Sequence, residues 1–303
     1  MGREMNKKYL CIDVGGTSIK YGIMDTDLNL SSKGSVATPY DGVEAYLNTL
    51  EGIYKQFDGQ VCGIAMSVPG GIDSKNGICI FGGSLLFIDH LPLVQEMEKR
   101  CHVPVSIMND AKSAALAEAA WGSLKDCKDA VVLVFGTGVG GALIKDGKVH
   151  MGKHFTAGEF SWIMMSPEFD QTGGAWGLRG GNKRLVSLAA SAKGLSRENL
   201  TSYEVFNWAQ EGDEAALWAL DVFTKDIAFM ILNLQSIYDP ERFAIGGGIS
   251  RQPLFLTYIQ KNLNFYHSQC LFPMPKPEVV ECKYHNDANL IGALGYFLNR
   301  ELI

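Results

Sequence analysis

Two stretches of this chain share one layout, and that repetition constrains the fold more than any other feature. Residues 9–25 read as an apolar strand, a Gly15-Gly16-Thr17 turn, a second strand and an Asp-containing turn. Residues 131–148 repeat the plan: Val131–Phe135, then Gly136-Thr137-Gly138-Val139-Gly140-Gly141, a second apolar run, and the turn Lys145-Asp146-Gly147-Lys148. The correspondence continues downstream. The run 61–66 ends in Val68-Pro69-Gly70-Gly71, and the run 242–245 ends in Gly246-Gly247-Gly248. The run 103–108 enters Asn109-Asp110-Ala111, and the run 278–282 enters Asn286-Asp287-Ala288. Each Asn-Asp pair opens a helix-like stretch, as N-cap chemistry favours. Three ordered correspondences define two halves of a duplicated α/β architecture, expected as two lobes with a cleft between them.

The glycine turns are suited to phosphate. Glycine lets the backbone approach closely, and the N–H groups around Gly136, Thr137 and Gly138 are left unobstructed. Neither turn is a Walker A loop, because no Gly-Lys-Ser/Thr follows, and a strand follows where a dinucleotide fingerprint needs a helix. Taken singly, each turn fits a plain hairpin equally well. Asp13 ends the first strand beside Gly15, Gly16 and Thr17; a carboxylate there either caps the turn or meets the Mg²⁺ that accompanies nucleotide phosphates. The second phosphate loop favours the metal. Lys20, in the following strand, reaches phosphate or faces solvent.

Further along, 67–71 forms an irregular loop at the carboxyl end of a strand, where ligands of α/β folds collect, and places Gly70 there. The segment 81–90 adds Gly83 and apolar residues that fit a sugar face, a core or a dimer contact equally. Asn109-Asp110 lies at a strand end with a helix beginning at once, which favours an ionised carboxylate. Asp110 can therefore act as a base toward a substrate hydroxyl, or only cap the helix. Glu159 follows Ala157-Gly158 in a short turn, where it either accepts from sugar hydroxyls or starts a helix. Gly173-Gly174-Ala175-Trp176-Gly177 and Gly180-Gly181 suggest a long loop at a substrate mouth. Gly246, Gly247 and Gly248 leave room for a flat ring and are a candidate adenosine site.

The composition excludes several classes. A formal charge of −6 without a basic run argues against nucleic acid as a partner. Seven scattered cysteines form no CxxC or CxC pair, which suits reduced thiols and a cytoplasmic location. No stretch of about 18 apolar residues occurs, so no membrane partner is expected.

Together, Ile12-Asp13-Val14-Gly15-Gly16-Thr17, Val68-Pro69-Gly70, Met108-Asn109-Asp110-Ala111, Gly136–Gly141, Ala157-Gly158-Glu159 and Ile245–Gly248 resemble the ROK family of repressors and sugar kinases, within the actin-like ATPase superfamily. The resemblance implies a duplicated ribonuclease H-like fold, with lobes at 5–114 plus 288–303 and at 115–287, and an interdomain cleft. It implies ATP and Mg²⁺ as cofactors. Asp13, Gly15, Gly16, Thr17, Lys20, Gly136, Thr137 and Gly138 would lie near metal and phosphates, and Gly246–Gly248 near adenosine. Asp110 matches the family's base, and Asn109 and Glu159 its sugar ligands, beside Gly70 and Gly83. A sugar substrate and a homodimer are the implied partners.

The chain departs from the family at one place. Most members have Gly-His just after the Glu, followed by a CxCGxxGCxE zinc motif. Here Ser161-Trp162 stand there, and 163–185 holds no cysteine, so no zinc site is expected and two sugar ligands are missing. This pattern is similar to the β-glucoside kinases, which phosphorylate the 6-hydroxyl of β-linked disaccharides or aryl glucosides. Glucokinase and N-acetylmannosamine kinase are the alternatives, with a catalytically silent sugar sensor as a different class. The family's repressors carry a winged helix ahead of the first phosphate strand; under about ten residues precede it here, so that module is not expected.

Overall fold

The computed structural model describes residues 7–167, 174–198 and 200–303, and the chain divides into two compact units. Unit 1 comprises residues 1–120, 151–157 and 287–303; unit 2 comprises 121–150 and 158–286. The first division falls after Ala120, where a boundary at residue 114 would cut through a continuous helix.

Unit 1 begins with β1 (Lys8–Val14), β2 (Ser18–Asp25) and β3 (Leu30–Ala37), an antiparallel meander. Then come α1 (Val43–Lys55), β4 (Ile64–Val68), the small hairpin β5 (Gly71–Asp73) and β6 (Ile78–Phe81), α2 (Leu93–Cys101), β7 (Val105–Asn109) and α3 (Asp110–Trp121). The main sheet has the order β3-β2-β1-β4-β7, with β1, β4 and β7 parallel. Every residue of β4 and β7 is buried, the continuous pattern of a parallel strand covered on both faces. Strand β4 starts at Ile64, later than the apolar run beginning at Val61 suggests. Cys62 N–H already turns aside to the Lys8 carbonyl, and Gly63 lies hard against the Phe297 ring. Leu10, Ile12, Ile64, Met66 and Ile107 form the heart of this core, each Leu or Ile worth roughly 1.5–3 kcal/mol of burial.

Unit 2 repeats the plan. Its strands are β8 (Ala130–Phe135), β9 (Val139–Lys145), β10 (Lys148–His150), β11 (Arg242–Gly246) and β12 (Val279–Glu281), in the order β10-β9-β8-β11-β12. Position for position, this matches the sheet of unit 1, as the internal repeat requires. The β9–β10 turn has Asp146 at φ 52° and Gly147 at φ 78°, the two left-handed residues a type I′ hairpin needs. Its helices are α4 (Trp176–Arg179), α5 (Asn182–Lys193), α6 (Ser202–Gln210), α7 (Glu214–Tyr238) and α8 (Pro253–Ser268). Thr201 and Glu204 form a capping box on α6, and the Asp213 carboxylate caps α7 through Ala216 N–H. Phe135, Phe206, Phe223 and Phe255 centre this core.

One expectation is overturned here. The glycine-rich run around 173–181 is not an open loop throughout; residue 173 lies outside the described residues, but Trp176 is fully buried and starts α4. Its indole packs on Phe135 and Phe160, so this run is anchored in the core.

The final helix, α9 (Ala288–Leu298), belongs to unit 1 and packs on β1, β4 and β7. Gly292 passes so close to α3 that a Cβ would collide with the Ser113 carbonyl. Asp287 does not cap α9, contrary to the N-cap reading of Asn286-Asp287. Its carboxylate instead pairs with Lys33 at 2.8 Å, which holds it away from the helix N–H groups. Among the described residues, no helix is long and apolar enough to cross a membrane.

Candidate functional site

In unit 1, the turn between β1 and β2 has its carbonyls claimed and its N–H groups open. Thr38 Oγ1 donates to the Gly15 carbonyl at 2.7 Å, Tyr40 Oη to that of Gly16 at 2.5 Å, and Thr38 N–H to that of Thr17 at 3.1 Å. Gly15 N–H closes the turn on Ser18 O at 3.0 Å. The N–H groups of Gly16 and Thr17 have no hydrogen-bond partner among the described residues, so the turn offers donors and no acceptors, the polarity an anion needs.

Asp13 stands at the end of β1 beside this turn. Ser67 Oγ (3.0 Å) and Asn289 Nδ2 (2.8 Å) both donate to its Oδ1. Burial raises its pKa above the usual carboxylate value, against the opposing pull of those two hydrogen bonds and of Lys20, which faces it across the β1–β2 ladder. Lys20 itself is exposed on β2. An anion held by two neutral donors on one oxygen, with the other oxygen unclaimed among the described residues, fits a hard divalent cation. Mg²⁺ suits this donor set, and Asp13 is the residue that would hold it, directly or through water. Ser67 and Asn289 escaped the motif reading, because only the fold brings each of them to Asp13.

Asn109 and Asp110 lie at the junction of β7 and α3. Asn109 is buried; its Oδ1 caps α3 by accepting from Lys112 N–H at 3.0 Å. Its Nδ2 donates to the Gly70 carbonyl at 2.9 Å and to Asp110 Oδ1 at 3.1 Å. Asp110 Oδ1 also accepts from Ala111 N–H at 2.7 Å. The carboxylate is thus fixed from two sides at a helix N-terminus, while the donors of Asn109 are already committed. A sugar hydroxyl can reach Asn109 only through the remaining lone pair of Oδ1.

Gly70 holds the loop between β4 and β5 in register. At φ 93° it adopts a left-handed conformation, and a Cβ would collide with the Phe81 carbonyl. Gly83 (φ 61°) lies directly against the Gly70 backbone, so the Gly70 and Gly83 loops form one layer next to Asn109. In this segment Leu85 and Ile88 belong to the core, and Leu86 is exposed.

In unit 2, Gly136 N–H bonds the Gly138 carbonyl at 3.0 Å, and Gly136 O accepts from Asn182 N–H at 2.8 Å. Thr137 and Gly138 N–H have no partner among the described residues, so this turn too leaves N–H donors open. Gly247 (φ 94°) packs its backbone onto Phe135, so Gly246–Gly248 adjoin this turn, and Tyr203 Oη donates to Gly248 O at 3.2 Å. A cavity of about 520 Å³ opens nearby, lined by Asn182, Lys183, Val186, Ser187, Arg197 and Thr201 among others. That volume suits a nucleoside, and the charged groups at its wall are Lys183, Arg197 and the carboxylate of Glu198. These residues carry no motif and were missed in the sequence. Glu159 heads a single 3₁₀ turn, Phe160–Trp162, pinned by the buried Phe160 ring against Gly141 of β9; Trp162 is exposed.

Two phosphate-type turns on matching sheets, with an Asp at the first and an Asn-Asp pair at a helix start, define a duplicated nucleotide-binding protein of the actin-like ATPase fold. The model of the ROK family matches residues 9–300, and the chain belongs to that family. It is 30% identical over 302 residues to the β-glucoside kinase of Klebsiella pneumoniae, covering 96% of each chain. It is 28% identical to the N-acetyl-D-glucosamine kinase of Vibrio cholerae, covering 96% of this chain and 99% of that one. A ROK family protein from Streptococcus pneumoniae, solved in complex with sucrose, superposes with a TM-score of 0.86 at 28% identity, covering 97% of this chain and 99% of the other.

Proposed function

We propose that this ROK protein is an ATP-dependent sugar kinase whose acceptor is the 6-hydroxyl of a glucose unit, carried by a β-glucoside. The observation that carries the reading is the Asp110 carboxylate, fixed by Asn109 Nδ2 and Ala111 N–H at the start of α3 and adjoining the Gly70 layer. Asp110 takes the hydroxyl proton as the acceptor oxygen bonds to the γ-phosphorus, the γ-phosphorus–oxygen bond to ADP breaks, and the electron pair leaves on ADP. In unit 1 the Gly16 and Thr17 N–H groups stabilise phosphoryl oxygens, and in unit 2 those of Thr137 and Gly138 do the same for the nucleotide's phosphates. Mg²⁺, bound through Asp13, would neutralise phosphate charge. Glu159 orients sugar hydroxyls, and Lys183 and Arg197 hold the nucleotide in the unit 2 cavity.

The β-glucoside substrate is supported by the Klebsiella pneumoniae relative's name; the sucrose bound to the Streptococcus pneumoniae protein, whose glucose is α-linked, supports a site open to a disaccharide. Ser161-Trp162, standing where most of the family has Gly-His, supports it too. An N-acetylhexosamine or glucose acceptor is the second reading, favoured by the Vibrio cholerae relative. ADP release with glucose, N-acetylglucosamine, N-acetylmannosamine, cellobiose, gentiobiose and arbutin tests both. Turnover highest on the β-glucosides supports the first reading. Preference for a free monosaccharide moves the substrate, and silence on every sugar with ATP still bound overturns the kinase.

A further inference from the structure

The segment leaving β3, Thr38-Pro39-Tyr40, runs as a strap along the first phosphate turn. Its three hydrogen bonds take up the carbonyls of Gly15, Gly16 and Thr17. Thr38 is buried and its two bonds are part of the fold, whereas Tyr40 is 59% exposed. The Tyr40 ring lies edge-on to Phe87 at 6.2 Å, and Phe87 in turn packs on the buried Tyr46. The ring is therefore held by its neighbours, and the hydroxyl is spent on one acceptor, the Gly16 carbonyl. The Gly16 carbonyl and the Thr17 N–H belong to one peptide plane. Fixing the oxygen inward points the N–H outward.

The same spot is reached from the substrate layer. Ser84 follows Gly83 directly, and a Cβ on Gly16 would lie 3.1 Å from Ser84 Oγ and 3.7 Å from Tyr40 Oη. A run of neighbours leads from Asn109 through Gly70, Gly83 and Ser84 to Gly16 and Tyr40, with hydrogen bonds at its two ends.

We propose that Tyr40 is a positioning residue for phosphoryl transfer, acting through Gly16. Its hydroxyl locks the Gly16–Thr17 peptide with the N–H toward the transferred phosphoryl group, and Ser84 packs the substrate layer against the locked turn. The proposal rests on the kinase reading above. It needs no contact between Tyr40 and either substrate.

The test is Tyr40→Phe, which keeps the ring on Phe87 and removes only the bond to Gly16. The expected result is a fall of about three- to tenfold in kcat, with sugar KM and melting temperature unchanged, and weaker Mg–ATP binding by calorimetry. A kcat equal to that of the wild type overturns the proposal. So does a fall in kcat accompanied by matching losses in melting temperature and sugar affinity, which is general loosening. A wild-type protein silent on all sugars overturns the kinase reading alone. The calorimetric comparison of Tyr40→Phe with wild type then decides the strap: weaker Mg–ATP binding upholds it, and equal binding overturns it.

Discussion

Asn289, at the second position of the last helix, donates to Asp13 Oδ1 at 2.8 Å across 276 residues of chain. Because Ser67 donates to the same oxygen, Asp13→Asn can keep both bonds while losing the charge. The folded-state pKa of Asp13 is raised, chiefly by burial. Its stabilising contribution is therefore full below the unfolded value and is lost as pH rises through the folded value. Asp13→Asn should be more stable than wild type by roughly 0.5–2 kcal/mol at pH 8 without metal, with the gap closing on acidification. It should also lose the stabilisation that Mg–ATP gives the wild type. Thermal melts at two pH values, with and without Mg–ATP, check both; a pH-independent gap would show that burial of the charge is not the cause.

Asp110→Asn should lower kcat by about 10²–10⁴, the range for a general base, and leave sugar binding nearly intact. Single-turnover kinetics beside calorimetric sugar titration separates the two effects. Asn109→Ala has a different signature. It removes the α3 cap and leaves the Gly70 carbonyl without its donor, costing about 1–3 kcal/mol of stability as well as activity.

Two glycines in unit 2 should respond oppositely. A Cβ at Gly136 meets nothing within 4 Å, so Gly136→Ala should melt like wild type yet raise the ATP KM by intruding where phosphate is expected. At Gly247 the φ of 94° and the Phe135 backbone both forbid a side chain. Gly247→Ala should therefore destabilise the protein by at least about 1–3 kcal/mol. Equal melting temperatures for the two variants would contradict this.

Lys183→Ala and Arg197→Ala should each weaken nucleotide binding several-fold while leaving the sugar KM unchanged. Fluorescent nucleotide titration reads the first effect and initial-rate kinetics the second. An unchanged dissociation constant in both variants would move the nucleotide out of the α5–α6 cavity.

The sequence revealed what backbone chemistry imposes. Gly15–Thr17, Gly136–Gly138 and Gly246–Gly248 announce themselves as glycine clusters at strand ends, and of these Gly247 has a φ and a backbone neighbour that demand glycine; the Asp146-Gly147 turn carries its type I′ signature in two letters. The duplicated α/β architecture followed from the order of such signals, and the strand order within each sheet came from the structure. Asn289, Ser67, Tyr40, Lys183 and Arg197 could not be read, because each acquires its meaning from a partner distant in the chain or from a cavity wall. Similar letters also concealed different roles. Asn109-Asp110 and Asn286-Asp287 look alike, yet the first is a capped junction and the second an ion pair with Lys33. The glycines near Trp176 looked like a loop because a buried indole at the head of a four-residue helix leaves no periodicity to detect.

The return of α9 to unit 1 sets an order of events during synthesis. The first unit to leave the ribosome lacks the helix that covers β1, β4 and β7 and supplies Asn289 to Asp13. At about 5–20 residues per second, that helix follows on the order of ten seconds or more later, after unit 2 has been made. The nascent amino-terminal sheet must wait with its apolar face uncovered, a window in which a holdase chaperone can bind. A stop codon only a few residues before α9 would leave that window permanently open.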